Sequence, residues 1–187
     1  MRVRAHDFTC RWKGRETGAA DHRAKSRAVG RAVCKGHTAA LSRAVDFVKR
    51  AGARYRLAIA SSGTREQIRF ALAGTPIEKD FQVTVAAEDI SVGKPDPEIY
   101  RLTLALLNQT APLLESEVRS EYCVIIEDSL AGIQAGLAAG MKVAAISTTY
   151  PAAHLGHAHL VIPCLNVATL ENLESLFPSS QSDRSGP

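Results

Sequence analysis

Tyr122-Cys123-Val124-Ile125-Ile126-Glu127-Asp128-Ser129-Leu130-Ala131-Gly132-Ile133-Gln134-Ala135-Gly136 is the stretch that decides the fold. Its first five residues are all apolar, the pattern of a parallel strand covered on both faces. Two acids close the strand, and Ser129 can cap the helix that follows. In that helix Gly132, Gly136 and Gly140 recur every fourth residue. This small stripe lets a helix lie close to a sheet.

Outward from this unit, strands and helices alternate. Toward the C-terminus, Lys142 to Ser147 and Leu160 to Ile162 are predicted strands, and Leu170 to Phe177 is a closing helix. Toward the N-terminus, Asp96 and Pro97 start a helix over Ile99 to Leu107. Gln82 to Ala86 and Tyr55 to Ala60 are strands. Thr64 and Gln67 have capping-box spacing, opening a helix that runs to about Gly74. Thr38 begins a helix with Leu41, Ala44, Val45 and Val48 on one face, and Gly52 ends it. Such alternation predicts an α/β, doubly wound parallel sheet.

The 187 residues carry a net charge of +4, unevenly spread. Residues 1–35 hold ten Lys and Arg against three acids, net +7, and the remainder is net −3. That arm has no Leu or Ile, so it can bury little surface. The sequence divides into a basic, disordered arm (1–36), an α/β core (37–178) and a disordered tail (179–187). A transit peptide fits the arm less well, since Ser26 is its only serine. Nucleic-acid binding through it would be non-specific phosphate attraction, and Trp12 alone makes no stacking platform. No apolar run approaches the length of a membrane span. The four cysteines form no C-x-x-C, and a reducing, cytoplasmic setting is expected. Cys123 is predicted to be a core residue. His154, His157 and His159 have no acid or cysteine nearby to complete a metal site and are expected in an exposed loop.

Ligands of such sheets sit beyond the carboxyl ends of the strands. Three places there carry polar residues. Ser61, with Gly63 beside it, follows an apolar strand and precedes a helix N-terminus, where a hydroxyl can meet an anion. Lys94, in Gly93-Lys94-Pro95-Asp96-Pro97, stands in a stiff turn where it can neutralise a phosphate. Glu127 and Asp128 are clustered hard oxygen donors suited to Mg²⁺. Each has a plainer reading: a cap, a solvated lysine, a helix start.

Together, and in this order, the stretches L-A-I-A-S-S-G, G-K-P-D-P-E-I-Y and V-I-I-E-D-S-L-A-G-I-Q-A-G-L-A-A-G-M resemble the haloacid-dehalogenase-like hydrolases, in particular the phosphoglycolate phosphatase and β-phosphoglucomutase branch. The likeness runs from Thr38 to Phe177. It implies an Mg²⁺-dependent phosphatase acting on a small phosphorylated metabolite. It also implies that Ser61, Gly63 and Lys94 bind phosphate and that Glu127 and Asp128 hold Mg²⁺.

The resemblance fails at the start of the chain. Family members open with a strand ending in D-x-D-G-[TV], whose first Asp attacks phosphorus and whose second moves protons. None of the eight Asp here has an Asp two positions on. Asp7-Phe8-Thr9 comes nearest in position, but a central strand before it would bury Arg2 or Arg4, and an unpaired buried charge is costly. The first central strand is therefore expected to be missing and the cap unrecognisable. Two open strand edges would make the protein weakly stable and prone to self-association. An inactive phosphatase relative is the leading reading. A non-catalytic phosphate- or metal-binding protein and a nucleic-acid-associated protein are the alternatives.

Overall fold

Side chains of successive strand residues point to opposite faces, and here both faces find apolar partners. The computed structural model describes residues 3–6, 38–110 and 117–177. Its strands are β1 (Val3–His6), β2 (Arg56–Ala60), β3 (Val83–Val85), β4 (Cys123–Glu127), β5 (Lys142–Ile146) and β6 (Leu160–Ile162). Its helices are α1 (Thr38–Gly52), α2 (Arg65–Leu72), α3 (Glu98–Gln109), α4 (Leu130–Ala138) and α5 (Val167–Glu174). All strand pairs are parallel, in the order β3-β2-β1-β4-β5-β6. Val124 and Ile126 of β4, with Leu57 of β2, pack against Phe47 and Val48 of α1 and Leu170 and Leu173 of α5. Ile125 and Ala58 turn the other way, onto Ile99, Tyr100 and Leu107 of α3 and Ala135 of α4. Phe47, Leu57 and Ile125 are fully buried, each contributing about 1.5–3 kcal/mol. The α/β, doubly wound reading of the sequence matches this architecture.

The missing central strand is corrected by the fold. Val3–His6 lies between β2 and β4, with His6 level with Ile59 on one side and Ile126 on the other. The open edges expected on β2 and β4 are therefore paired, and the argument for self-association through them loses its premise. The physical reason is backbone demand. Without β1, the facing N–H and C=O groups of two covered strands would go unpaired, at about 1–3 kcal/mol per group. The sequence reading weighed only side-chain charge. These four residues also fall inside the segment expected to be a disordered arm. The rest of that segment, with Trp12, and the tail lie outside the described residues.

Local chemistry sets the other boundaries. Thr64 and Gln67 form the expected capping box: Gln67 N–H donates to Thr64 Oγ1 at 3.2 Å and Thr64 N–H to Gln67 Oε1 at 2.9 Å. The last helix starts earlier than its apolar residues suggest, because Asn166 and Thr169 make a second capping box. The glycine stripe of α4 divides into three roles. A Cβ at Gly136 would come within 2.9 Å of Ile125 and Val143 side-chain atoms, so this glycine lets helix meet sheet. Gly140, at φ +72°, makes the left-handed turn after the helix. Gly132 faces Glu127.

Cys123 is buried, which pushes its thiol up to about 12. His154 ends a short 3₁₀ turn, and His157 is exposed. His159 extends the β5–β6 pairing: its N–H donates to Val143 O at 2.9 Å, and its Nδ1 accepts from Val143 N–H at 3.2 Å. Desolvation, then the charge of Lys142, lowers the pKa of this ring below 6.5. A base whose folded pKa is depressed stabilises the fold above its unfolded value and loses that contribution as pH falls through 6.5. The melting temperature of the wild type should therefore fall slightly more between about pH 7.5 and 5.5 than that of His159→Asn, which keeps an acceptor that does not titrate. Parallel pH profiles in the two proteins would contradict this.

Candidate functional site: the carboxyl edge of the sheet

Strand order reverses beside β1, and the crevice of a doubly wound sheet opens at that point, beyond the strand ends. The structure brings Ser61, Lys94 and Glu127 to this edge. Ser61 follows β2 and is buried; its N–H donates to Val85 O at 3.0 Å, carrying the β2–β3 pairing one residue further. Glu127 is the last residue of β4. Lys94 comes from the loop between β3 and α3, and that loop is fastened at several points. Glu98 accepts from Ser91 N–H at 2.9 Å and Val92 N–H at 2.7 Å, while Asp96 accepts from Glu98 N–H at 2.8 Å. The acids of the G-K-P-D-P-E run thus serve the turn that presents the lysine.

Lys94 Nζ donates to Ala60 O at 3.3 Å and to Glu127 Oε1 at 2.6 Å. Those groups end β2 and β4, which flank β1 and so lie about 10 Å apart. The ammonium therefore sits over the carboxyl end of the central strand. It also lies 4.9 Å from the centroid of the Tyr100 ring, a cation–π distance. Tyr100 O–H donates to the same Glu127 Oε1 at 3.0 Å. The sequence reading did not single out Tyr100; its place six residues after Lys94, within the quoted run and one α3 turn along, was the available signal.

Gly63 is placed differently from its expected role. Its N–H donates to Ser61 Oγ at 3.0 Å, so the amide fixes the hydroxyl. Around it, Ala87 N–H donates to Gly63 O at 3.0 Å, and Glu88 receives Arg65 N–H at 3.1 Å. The amides of Gly63, Thr64, Arg65 and Gln67 are thus engaged within the protein. Ser61 Oγ accepts from Gly63 and retains its own proton to donate.

The acid pair separates into two environments. Glu127 Oε2 accepts from Asp128 N–H, Ser129 N–H and Ser129 O–H, each at 2.9 Å. Ser129 in turn caps α4 by accepting from Gly132 N–H at 3.0 Å. Asp128 is half-buried and accepts from Thr149 O–H. Thr149, from the loop after β5, has no sequence signature. Glu127, with both oxygens engaged and an ammonium at 2.6 Å, does not fit an Mg²⁺ ligand; Asp128 does. Among the described residues no three His, Cys, Asp or Glu side chains cluster as a metal site. No helix of the described residues is long and apolar enough to cross a membrane.

A parallel sheet in this order, with a hydroxyl, a lysine and an acid pair at its carboxyl edge, defines the class: a doubly wound α/β protein with a polar carboxyl edge. The chain belongs to the haloacid dehalogenase-like hydrolase family, whose model matches residues 18–146. It is 37% identical over 99 residues to a phosphorylated carbohydrates phosphatase of Thermotoga maritima, covering 53% of this chain and 41% of that protein. It is 31% identical over 126 residues to hexitol phosphatase A of Escherichia coli, covering 67% and 53%. The crystal structure of CbbY from Rhodobacter sphaeroides in complex with phosphate superposes with a TM-score of 0.56 at 26% identity, over 71% of this chain and 57% of that one. The chain spans about half the length of these curated relatives.

Proposed function

We propose that this chain recognises the phosphate of a small phosphorylated polyol or sugar and does not turn it over. The observation that carries the reading is the Lys94 ammonium held over the end of β1, with the Ser61 hydroxyl at the neighbouring strand end. A cation and a hydroxyl fixed on strand ends can offset the charge of a phosphate without reorganising. The relatives named above act on phosphorylated carbohydrates and hexitols, which supports the substrate class.

Hydrolysis by this family's chemistry needs two carboxylates at the end of the first strand. One attacks phosphorus, forming the P–O bond as the substrate's ester P–O bond breaks. The other gives the leaving oxygen its proton and later takes one from water. Asp7 is the residue after β1 in the sequence, and Thr9 stands two positions on; both lie outside the described residues. A threonine hydroxyl does not ionise near neutral pH, so it cannot serve as that acid and base. General acid–base assistance contributes about 10²–10⁴-fold, and this chain's residues do not supply it in that place. Asp128 is the acid that would hold Mg²⁺, and the metal would supply charge neutralisation there.

The test is direct. With a generic aryl phosphate and Mg²⁺, phosphate release by the wild type should match that of Asp128→Ala and of buffer. Orthophosphate should bind the wild type and bind Lys94→Met at least tenfold more weakly. Metal-dependent release lost in Asp128→Ala would overturn the inactive reading. Equal phosphate affinity in the Lys94 variant would overturn the site.

A further inference from the structure

We propose that Glu127 is a positioning residue: its carboxylate fills the anion slot of its own strand–helix turn and fixes Lys94 over the end of β1. The sequence and the resemblance both make it a metal ligand, and the geometry points elsewhere. A carboxylate offers about four lone-pair directions. Five donors already converge on this one: Lys94 Nζ and Tyr100 O–H on Oε1, and two backbone N–H groups and the Ser129 hydroxyl on Oε2. The N–H groups that open α4 are where an external anion would dock on such a turn. Here the chain supplies the anion itself.

The surroundings are built for this arrangement. The side chains of Glu127 and Lys94 are 0% and 4% exposed, so their ion pair is shielded from water. Gly132 leaves the space: a Cβ there would lie 1.8 Å from Glu127 Oε1. Mg²⁺ binds oxygen at about 2.0–2.1 Å in octahedral geometry and keeps its waters. To take Glu127 as a ligand, it would have to displace a buried ammonium or the backbone donors. Asp128 is half-buried and turned to the loop after β5, where it accepts from Thr149 O–H.

The value of the clamp to phosphate recognition rests on the reading of Lys94 given above. The clamp itself is tested without phosphate, so the two can fail separately. Thermal melts of the full chain are compared for wild type, Glu127→Gln, Asp128→Asn, Lys94→Met and the Lys94→Met/Glu127→Gln pair. Glu127→Gln should lower the melting temperature by about 10 °C, because it removes the charge from a buried ion pair. Adding Lys94→Met should recover at least half of that loss, a rescue that loss of a metal ligand would not produce. Asp128→Asn should shift melting by no more than about 2 °C. With nitrogen-labelled lysine, the slowly exchanging Lys94 ammonium signal should survive in Asp128→Asn and vanish in Glu127→Gln. In Mg²⁺ titrations Glu127→Gln should stay within threefold of the wild type, while Asp128→Asn loses tenfold or more. If no variant binds Mg²⁺, the metal reading of Asp128 falls and the clamp stands. If Glu127→Gln does not fold, recovery of folding in the double variant supports the clamp, and failure of both overturns it. Unchanged melting and an unchanged Lys94 signal in Glu127→Gln also overturn it, as does a tenfold loss of Mg²⁺ affinity with that signal intact.

Discussion

Gly132→Ala lowers the unfolding free energy by about 3–5 kcal/mol, far more than a helical glycine-to-alanine change on an open face, which is mildly stabilising. The reason is one atom's worth of space. The added methyl carbon would stand 1.8 Å from Glu127 Oε1, 2.0 Å from Cδ and 2.5 Å from Oε2. A flexible side-chain end could swing away cheaply, but this one is fixed by Lys94, Tyr100, Ser129 and two backbone donors. Moving it breaks a buried ion pair. Urea unfolding of Gly132→Ala beside Gly136→Ala measures the difference. At Gly136 the new Cβ meets the methyl ends of Val143 and Ile125 at 2.8 and 2.9 Å, an overpacking worth about 1–3 kcal/mol. A Gly132 variant no less stable than the Gly136 variant would show that the carboxylate is not held as described.

Arg56→Ala lowers stability by a similar amount, about 3–5 kcal/mol, for a different reason. Arg56 opens β2 yet is only 5% exposed. Its Nη1 donates to Leu107 O at 2.6 Å and to Thr110 O at 3.0 Å, the carbonyls at the end of α3. A helix C-terminus carries partial negative charge and carbonyls without intrahelical partners. The guanidinium adds a charged donor to Leu107 O, which also accepts from Thr110 N–H at 3.2 Å, and ties α3 to the sheet. Alanine leaves buried carbonyls without that donor and also opens a void. Arg56→Met, which keeps the apolar stem, should recover part of the loss. Urea unfolding of both variants tests this, and an alanine variant within about 1 kcal/mol of wild type would contradict it.

Much of the architecture was legible because its signals are local. The apolar runs before Ser61 and Glu127 read as covered strands, and the Thr64–Gln67 pair read as a cap. The exception is β1. Val-Arg-Ala-His alternates apolar and polar residues, the pattern of a half-buried strand and not the continuous apolar run of a central one, so Val3–His6 does not announce a central strand. Its place follows from the backbone needs of β2 and β4, which only the assembled sheet displays. The site shows the same division. Ser61, Lys94 and Glu127 were found from residue type at strand ends, and they do meet at one edge. Which partner each takes depends on three-dimensional neighbours. Gly63 serves Ser61, and Glu127 serves Lys94 and α4. Tyr100 and Thr149 enter only because α3 and the loop after β5 bring them there.

The position of β1 also has a kinetic consequence. Its partners lie about fifty and about a hundred and twenty residues further along the chain, so both neighbours are made long after it. Contacts of such sequence separation are the slow ones to form, because ring closure must be completed before pairing gives anything back. During synthesis one side of the strand can pair with β2 early, while the other waits until β4 has left the ribosome. The unit from β4 onward is built from neighbours and has no such wait, so β1 is locked on both sides only after β4, the more distant in sequence of its two partners, has been made.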